Sequence, residues 1–334
     1  VKGLEAMSTG CSEVEFTLSL ANGISLGLCA TDDESARIVT FLAQAAILED
    51  TLGRLPSGLS HELVVTSGKD NGVQQPGRLT AADRTSICVL EPRHHPWPRQ
   101  WRLQEPHRDG NEEDNVVVHL QPLSEEEWFW KQLLRLSACI GRVTHAWGGV
   151  LLHSGLTAYP GSQPQSPSRS TLSEHGILLA GRSGVGKSTA IQRLPSPWRT
   201  LADDVTLVVR DEPGTYWAHP WPTWSRFFGE EAGDGSDTWD VQQAVPLQAI
   251  FVLEQGEMDQ AEPVGPGQAV CLLAELASQT SAHFLRGMPL DEIAVFNLQR
   301  FENLCDLVQA VPAFMLDVSL SGAFWQEIQR VTQN

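Results

Sequence analysis

Gly181, Gly186, Lys187 and Ser188 stand in "GRSGVGKS" (181–188) at the spacing G-x-x-x-x-G-K-[ST]. That spacing is chemistry for holding phosphate. Gly184 and Gly186 let the backbone turn so that successive N–H groups face inward and cradle phosphate oxygens. Lys187 brings positive charge to the β- and γ-phosphates, and Ser188 brings a hydroxyl to Mg2+. A helix expected from about Lys187 adds the positive end of its dipole. Ser183, Val185 and Thr189 complete the residues expected around the nucleotide. The apolar strand "GILLAG" precedes the loop, and a helix-compatible run follows it. The expected ligands are a nucleoside triphosphate and Mg2+. ATP is the default, because no guanine-reading N-K-x-D is present.

A second candidate group follows. "LADDV" places Asp203 and Asp204 sixteen and seventeen residues beyond Lys187. Read near the start of a single strand over 198–211, the two carboxylates point to opposite faces, so one can face the metal and the phosphate. One is expected to serve Mg2+. The other can act as a base near the γ-phosphate, where an acceptor hydroxyl must lose its proton. His153, at the end of the strand in "GVLLHSG", reads either as a structural residue or as a proton-handling one. Further on, "TYWAHPWPTWSRFF" (215–228) is stiffened by prolines and rich in aromatic rings. His219 and Arg226 there suit a phosphate or a peptide carboxylate, and Trp221 and Trp224 suit an extended acceptor. The alternative is a loop whose Trp217, Trp221 and Trp224 pack over the sheet. Arg286, in "HFLRGMP", is a further charge-stabilising candidate.

The elements that must carry these groups follow from pattern. "EVEFTLSLANGISLGLCA" (13–30) alternates about an Asn-Gly pair and predicts a β-hairpin. "ARIVTFLAQAAIL" (36–48) has helical spacing. From 66 to 114 the chain is loop-heavy apart from short strands such as 85–91, and a strand is expected over 115–123. A capping box of Ser124 and Glu127 opens a helix over 124–143. Strands follow at 148–160 and 245–255, separated from each other by the loop at 161–174, the phosphate loop and the Asp pair. Helices at 267–280 and 291–310, a strand at 311–320 and a closing helix in "GAFWQEIQRV" end the chain. The expected organisation is an α+β region over 1–144, then a mixed α/β nucleotide-binding domain over 145–334.

Composition narrows the partners. The 334 residues hold 23 basic and 41 acidic side chains, a net charge of -18. Such a field repels nucleic acid and anionic membrane, and the basic residues are scattered, so neither is an expected partner. No run of about eighteen apolar residues predicts a membrane span. The start, "VKGLEAMSTG", has no long apolar core and does not read as a secretion signal. Cys11, Cys29, Cys88, Cys139, Cys271 and Cys305 show no metal or disulfide spacing, which predicts reduced, mostly buried thiols in a cytoplasmic protein.

His on a strand, then "LLAGRSGVGKST", then "LADDV" resembles the catalytic domain of the HPr kinase/phosphorylase family and its smaller relatives. The resemblance implies that P-loop fold. It implies Asp204 as the base, Asp203 as its neighbour near Mg2+, and His153 as an assisting active-site residue. "GVLLHSGL", "LLAGRSGVGKSTAIQRLPSPW", "YWAHPWPTWSRF", "VPLQAIFVLEQ" and "GAFWQEI" are similar to the ScmC proteins. Those are HPr-kinase-related members of bacterial cassettes that also encode short peptides and modifying enzymes. This implies a kinase acting on a Ser or Thr hydroxyl of a peptide, with other cassette enzymes as partners and homo-oligomers as in true HPr kinases. The resemblance stops short of the "EIRGLG" signature that supplies a Mg2+-binding Glu in HPr kinases; Glu230 and Glu231 lie in that region in another context. Two further readings use the same loop: a nucleotide-gated peptide- or partner-binding protein that transfers nothing, and a small-molecule kinase acting, for example, on free serine.

Overall fold

The computed structural model describes residues 16–30, 33–46, 49–50, 61–66, 85–89, 137, 140–141, 143–160, 174–221, 240–285 and 290–333. The expected strand at 115–123, most of the helix at 124–143 and residues 161–173 lie outside these. So do Trp224, Arg226, Glu230, Glu231 and Arg286. The chain divides into two compact units. The first is Val1–Ser19, Ile24–Gln44 and Leu48–Leu136; the second is Leu20–Gly23, Ala45–Ile47 and Ser137–Asn334.

The first unit holds a five-stranded sheet in the order β3-β1-β2-β4-β5: β1 (Phe16–Ser19), β2 (Ser25–Ala30), β3 (Glu49–Asp50), β4 (His61–Thr66) and β5 (Thr85–Val89). β1 and β2 form the expected hairpin, with Gly23 at φ 82 in the turn, a value that glycine adopts without strain. β4 and β5 continue parallel to β2. Helix α1 (Asp33–Ala46) buries Ile38, Val39, Leu42 and Ala43, one helical stripe.

The second unit is mixed α/β. Its eight strands are β6 (Val150–Pro160), β7 (Glu174–Ala180), β8 (Arg199–Ala202), β9 (Val205–Arg210), β10 (Tyr216–Pro220), β11 (Val245–Gln255), β12 (Gln260–Pro263) and β13 (Ala313–Val318). Pairings run β10-β9-β6-β7-β11 and return from β11 to β10, so five strands close on themselves. β13 and β12 extend the sheet beyond β11. β7, β11 and β13 are mutually parallel, and the remaining pairs are antiparallel.

Central parallel strands covered on both faces read as unbroken apolar runs, and "ILLA" and "AIFVL" do. Ile177, Leu179, Phe251 and Leu253 join one core with Ala190 and Ile191 of α2 (Lys187–Gln192) and Phe324 and Ile328 of α5 (Phe324–Thr332). Leu178, Ala180 and Ile250 are buried as well. Two long helices, α3 (Pro266–Leu285) and α4 (Leu290–Ala310), pack on each other, and α3 packs on β6. Phe251 is fully enclosed and stacks on Phe314 with ring centroids 5.1 Å apart. Phe251→Ala is expected to cost about 3–5 kcal/mol, read as a lower urea midpoint with an unchanged slope.

The structure departs from the sequence reading at three places. The run 198–211 is two strands, because β8 pairs with Leu156–Ala158 of β6 while β9 pairs with Val150–His153. The chain must step between those stretches, and Asp203-Asp204 make the step rather than opening one strand. β12 has no strong apolar signal and is an edge strand held by its pairing to β13. Cys271 is exposed and Cys305 half-buried, not enclosed, and both are free thiols. Among the described residues no helix is long and apolar enough to cross a membrane.

Candidate active site

The glycine-rich loop over 181–186 leaves β7 at Ala180 and enters α2 at Lys187. Gly186 caps that helix at φ 106, and Gly184 stands at φ 81. Both conformations strain any residue with a Cβ, so these two glycines make the turn possible. A side chain at either position meets nothing within 4 Å, so the space beside the turn is open. Gly181 has the opposite need: a Cβ there lies 2.8 Å from Val185 Cγ1. The Val185 N–H closes the turn onto the Arg182 carbonyl at 3.2 Å.

Lys187 is buried and folds back over the loop. Its Nζ donates to the carbonyls of Gly181 at 2.9 Å and Arg182 at 3.2 Å. Burial lowers its pKa from the ordinary lysine value, against the opposing charges of Asp204 and Asp203. Ser183, Ser188 and Thr189 are exposed beside it. Exposed hydroxyls, a buried ammonium and open space at two left-handed glycines fit a phosphate chain with one hard cation. Among the described residues no group of three or more His, Cys, Asp or Glu side chains is arranged to hold a metal.

The sheet brings the other candidates here. His153 is opposite Val205 in the pairing of β6 with β9, so the residue before Val205 comes within reach of the imidazole. His153 Nε2 lies 2.8 Å from Asp204 Oδ1. Burial raises the Asp204 pKa, but the hydrogen bond from His153 and the charges of His153 and Lys187 outweigh it. The net shift is below the usual carboxylate range. Asp203, Asp204, His153 and Lys187 therefore form one electrostatic group.

Two contributions from α3 had no signal in the sequence. Gln279 sets its side-chain oxygen 2.6 Å from His153 Nδ1. One turn earlier, Glu275 grips Arg182 of the glycine-rich loop, with Arg182 Nε 2.9 Å from Glu275 Oε1 and Nη2 2.9 Å from Oε2. A polar residue every fourth position on a helix is ordinary surface pattern, so nothing in the sequence marks either as part of a site.

The aromatic segment separates. Trp217 is half-buried on β10 and donates from Nε1 to Asp211 Oδ2 at 2.8 Å. His219 and Trp221, expected at the acceptor, are enclosed in the protein instead. The His219 Nδ1–H donates to the Val241 carbonyl at 2.6 Å, and Nε2 accepts from the Ala21 N–H at 3.2 Å. No ring nitrogen remains for a ligand. Burial pushes the His219 pKa down from 6.5 to about 4. The unfolded ring therefore takes a proton before the folded one does. Stability is complete above pH 6.5 and is lost as pH falls toward 4, by about 3 kcal/mol over that window. His219→Gln is expected to flatten this acid slope in urea unfolding curves recorded between pH 7 and 4.5.

Residues 116–333 match the model of a protein family described as SynChlorMet cassette protein ScmC. A search of curated proteins finds no match.

Proposed function

The chain belongs to the ScmC family of SynChlorMet cassette proteins, and from the site it carries we propose an ATP- and Mg2+-dependent kinase of HPr-kinase-like fold. Its acceptor is a Ser or Thr hydroxyl of a peptide or small protein, and its partners are the other enzymes of such a cassette. The observation that carries this reading is convergence. A complete phosphate-loop motif, its buried lysine and an Asp–His pair meet in one group although Lys187 follows β7 and Asp204 precedes β9, the strands on either side of β6.

Gly184, Val185, Gly186 and Lys187 would hold the β- and γ-phosphates, and Ser188 with Asp203 would hold Mg2+. The ion, when bound, supplies positive charge on the phosphate oxygens. Asp204, ionised at neutral pH, accepts the hydroxyl proton. The hydroxyl oxygen bonds to the γ-phosphorus as the bond from that phosphorus to the bridging oxygen of ADP breaks. His153 stays against Asp204 and keeps its carboxylate aimed. Lys187 spends two of its three N–H groups on loop carbonyls and keeps the third for phosphate. Catalysis of this kind is mainly positioning and charge stabilisation.

The deciding experiment incubates the protein with γ-32P-ATP, Mg2+ and the peptide fraction of a lysate from its source organism. Label on a discrete peptide supports the kinase. Label on a small molecule would move the acceptor to a metabolite. Retention of a peptide without any labelled product would favour nucleotide-gated binding.

A further inference from the structure

Helix α3 packs on β6 beside the site, and one polar side chain on it meets the imidazole. Gln279 Oε1 stands 2.6 Å from His153 Nδ1, and on the other edge of the ring Nε2 stands 2.8 Å from Asp204 Oδ1. His153 is only 12% exposed, so water has little access to take over either contact. The ring is held at two points. With β6 fixing its backbone, those points set both its plane and the direction of Nε2.

We propose that Gln279 is the positioning residue of this site, holding the His153 ring so that Nε2 faces Asp204. Its chemistry suits that task better than an acid or an aliphatic residue would. An amide accepts from Nδ1–H through Oε1, and after a half-turn it donates through its NH2 to a bare Nδ1. It therefore grips the ring whether or not Nδ1 carries a proton. A carboxylate grips only the protonated nitrogen, and an aliphatic side chain grips neither. The helix is anchored for this purpose at both ends of the contact. Thr280 donates to the Leu151 carbonyl of β6 at 3.1 Å, and Glu275 holds Arg182 one turn away. Gln279 meets the site at His153, on the Asp204 side.

The kinetic part of the test rests on the kinase reading; the spectroscopic part does not. Wild type, Gln279→Leu and Gln279→Glu are labelled with 15N in the histidine rings. Long-range 1H–15N correlations then report the two ring nitrogens of His153, assigned by the signals missing in His153→Ala. Binding of a non-hydrolysable ATP analogue and kcat are measured on the same three proteins. Gln279→Leu is expected to shift the His153 ring signals toward those of an unrestrained imidazole. It should leave analogue affinity unchanged and lower kcat about tenfold. Gln279→Glu retains an acceptor oxygen and is expected to restore most of that loss while Nδ1 is protonated. Unchanged His153 signals in Gln279→Leu overturn the proposal, whatever happens to kcat. Shifted signals in a protein that transfers nothing sustain the positioning role and remove the kinase reading instead.

Discussion

Lys187→Met is expected to lower phosphoryl transfer by about a hundredfold or more and to weaken nucleotide binding, while the protein stays folded. Each part of that expectation has its cause in where the ammonium sits. Nζ is bound to the carbonyls of Gly181 and Arg182, inside the arc of the loop it must serve. Methionine follows the same course without the charge, so the packing around α2 is kept. Burial already disfavours the ammonium, with Asp204 and Asp203 opposing. The relief of that burial offsets part of the cost of leaving the Gly181 and Arg182 carbonyls without their donor, so the expected loss of stability is modest while the cation proposed to meet phosphate is gone. The measurement pairs a fluorescent nucleotide titration with thermal unfolding. Wild-type nucleotide affinity in a folded Lys187→Met protein would mean that this loop does not hold phosphate.

Asp204→Asn is the second large effect, and it divides binding from chemistry. Asparagine keeps an oxygen for His153 and almost the same volume, but it cannot take a proton. Transfer to the acceptor is expected to fall about a hundredfold or more with nucleotide affinity retained. The pH dependence follows from the direction of the Asp204 shift. Its pKa is below the ordinary 3.8, so the carboxylate is charged throughout the neutral range. Transfer should then show no loss from this group until pH drops below the usual carboxylate range. The stability it contributes is present above 3.8 and disappears as pH falls through the lower folded pKa. A labelling assay run from pH 5 to 8 on both proteins tests the assignment. Full transfer by Asp204→Asn would assign the base elsewhere.

The sequence by itself carried whatever depends on neighbours in the chain. The turn glycines, Lys187 and Ser188 are recognisable because the G-x-x-x-x-G-K-[ST] motif is complete within eight residues. The hairpin about Asn22-Gly23, strand β11 and helices α3, α4 and α5 are likewise local patterns of turn chemistry and apolar spacing. The segments similar to ScmC proteins led to the family that residues 116–333 match. Composition and periodicity reached the α/β class of the second unit.

Tertiary structure decided which of those residues meet. His153 and Asp204 are 51 positions apart, and they touch because β9 pairs with the first half of β6 while β8 pairs with the second. That split turned an expected single strand into two with the carboxylates at the step between them. Gln279 lies 126 positions from His153, and only the packing of α3 on β6 brings it there. Burial likewise closed His219 and Trp221 into the interior, with His219 bound to Val241 and Ala21, where a Pro-rich aromatic run had suggested an open surface. Local preference acts over a turn or a strand length, whereas register and burial are set by partners distant in the chain. The residues of this site could therefore be named from the sequence, but their partners came only from the fold.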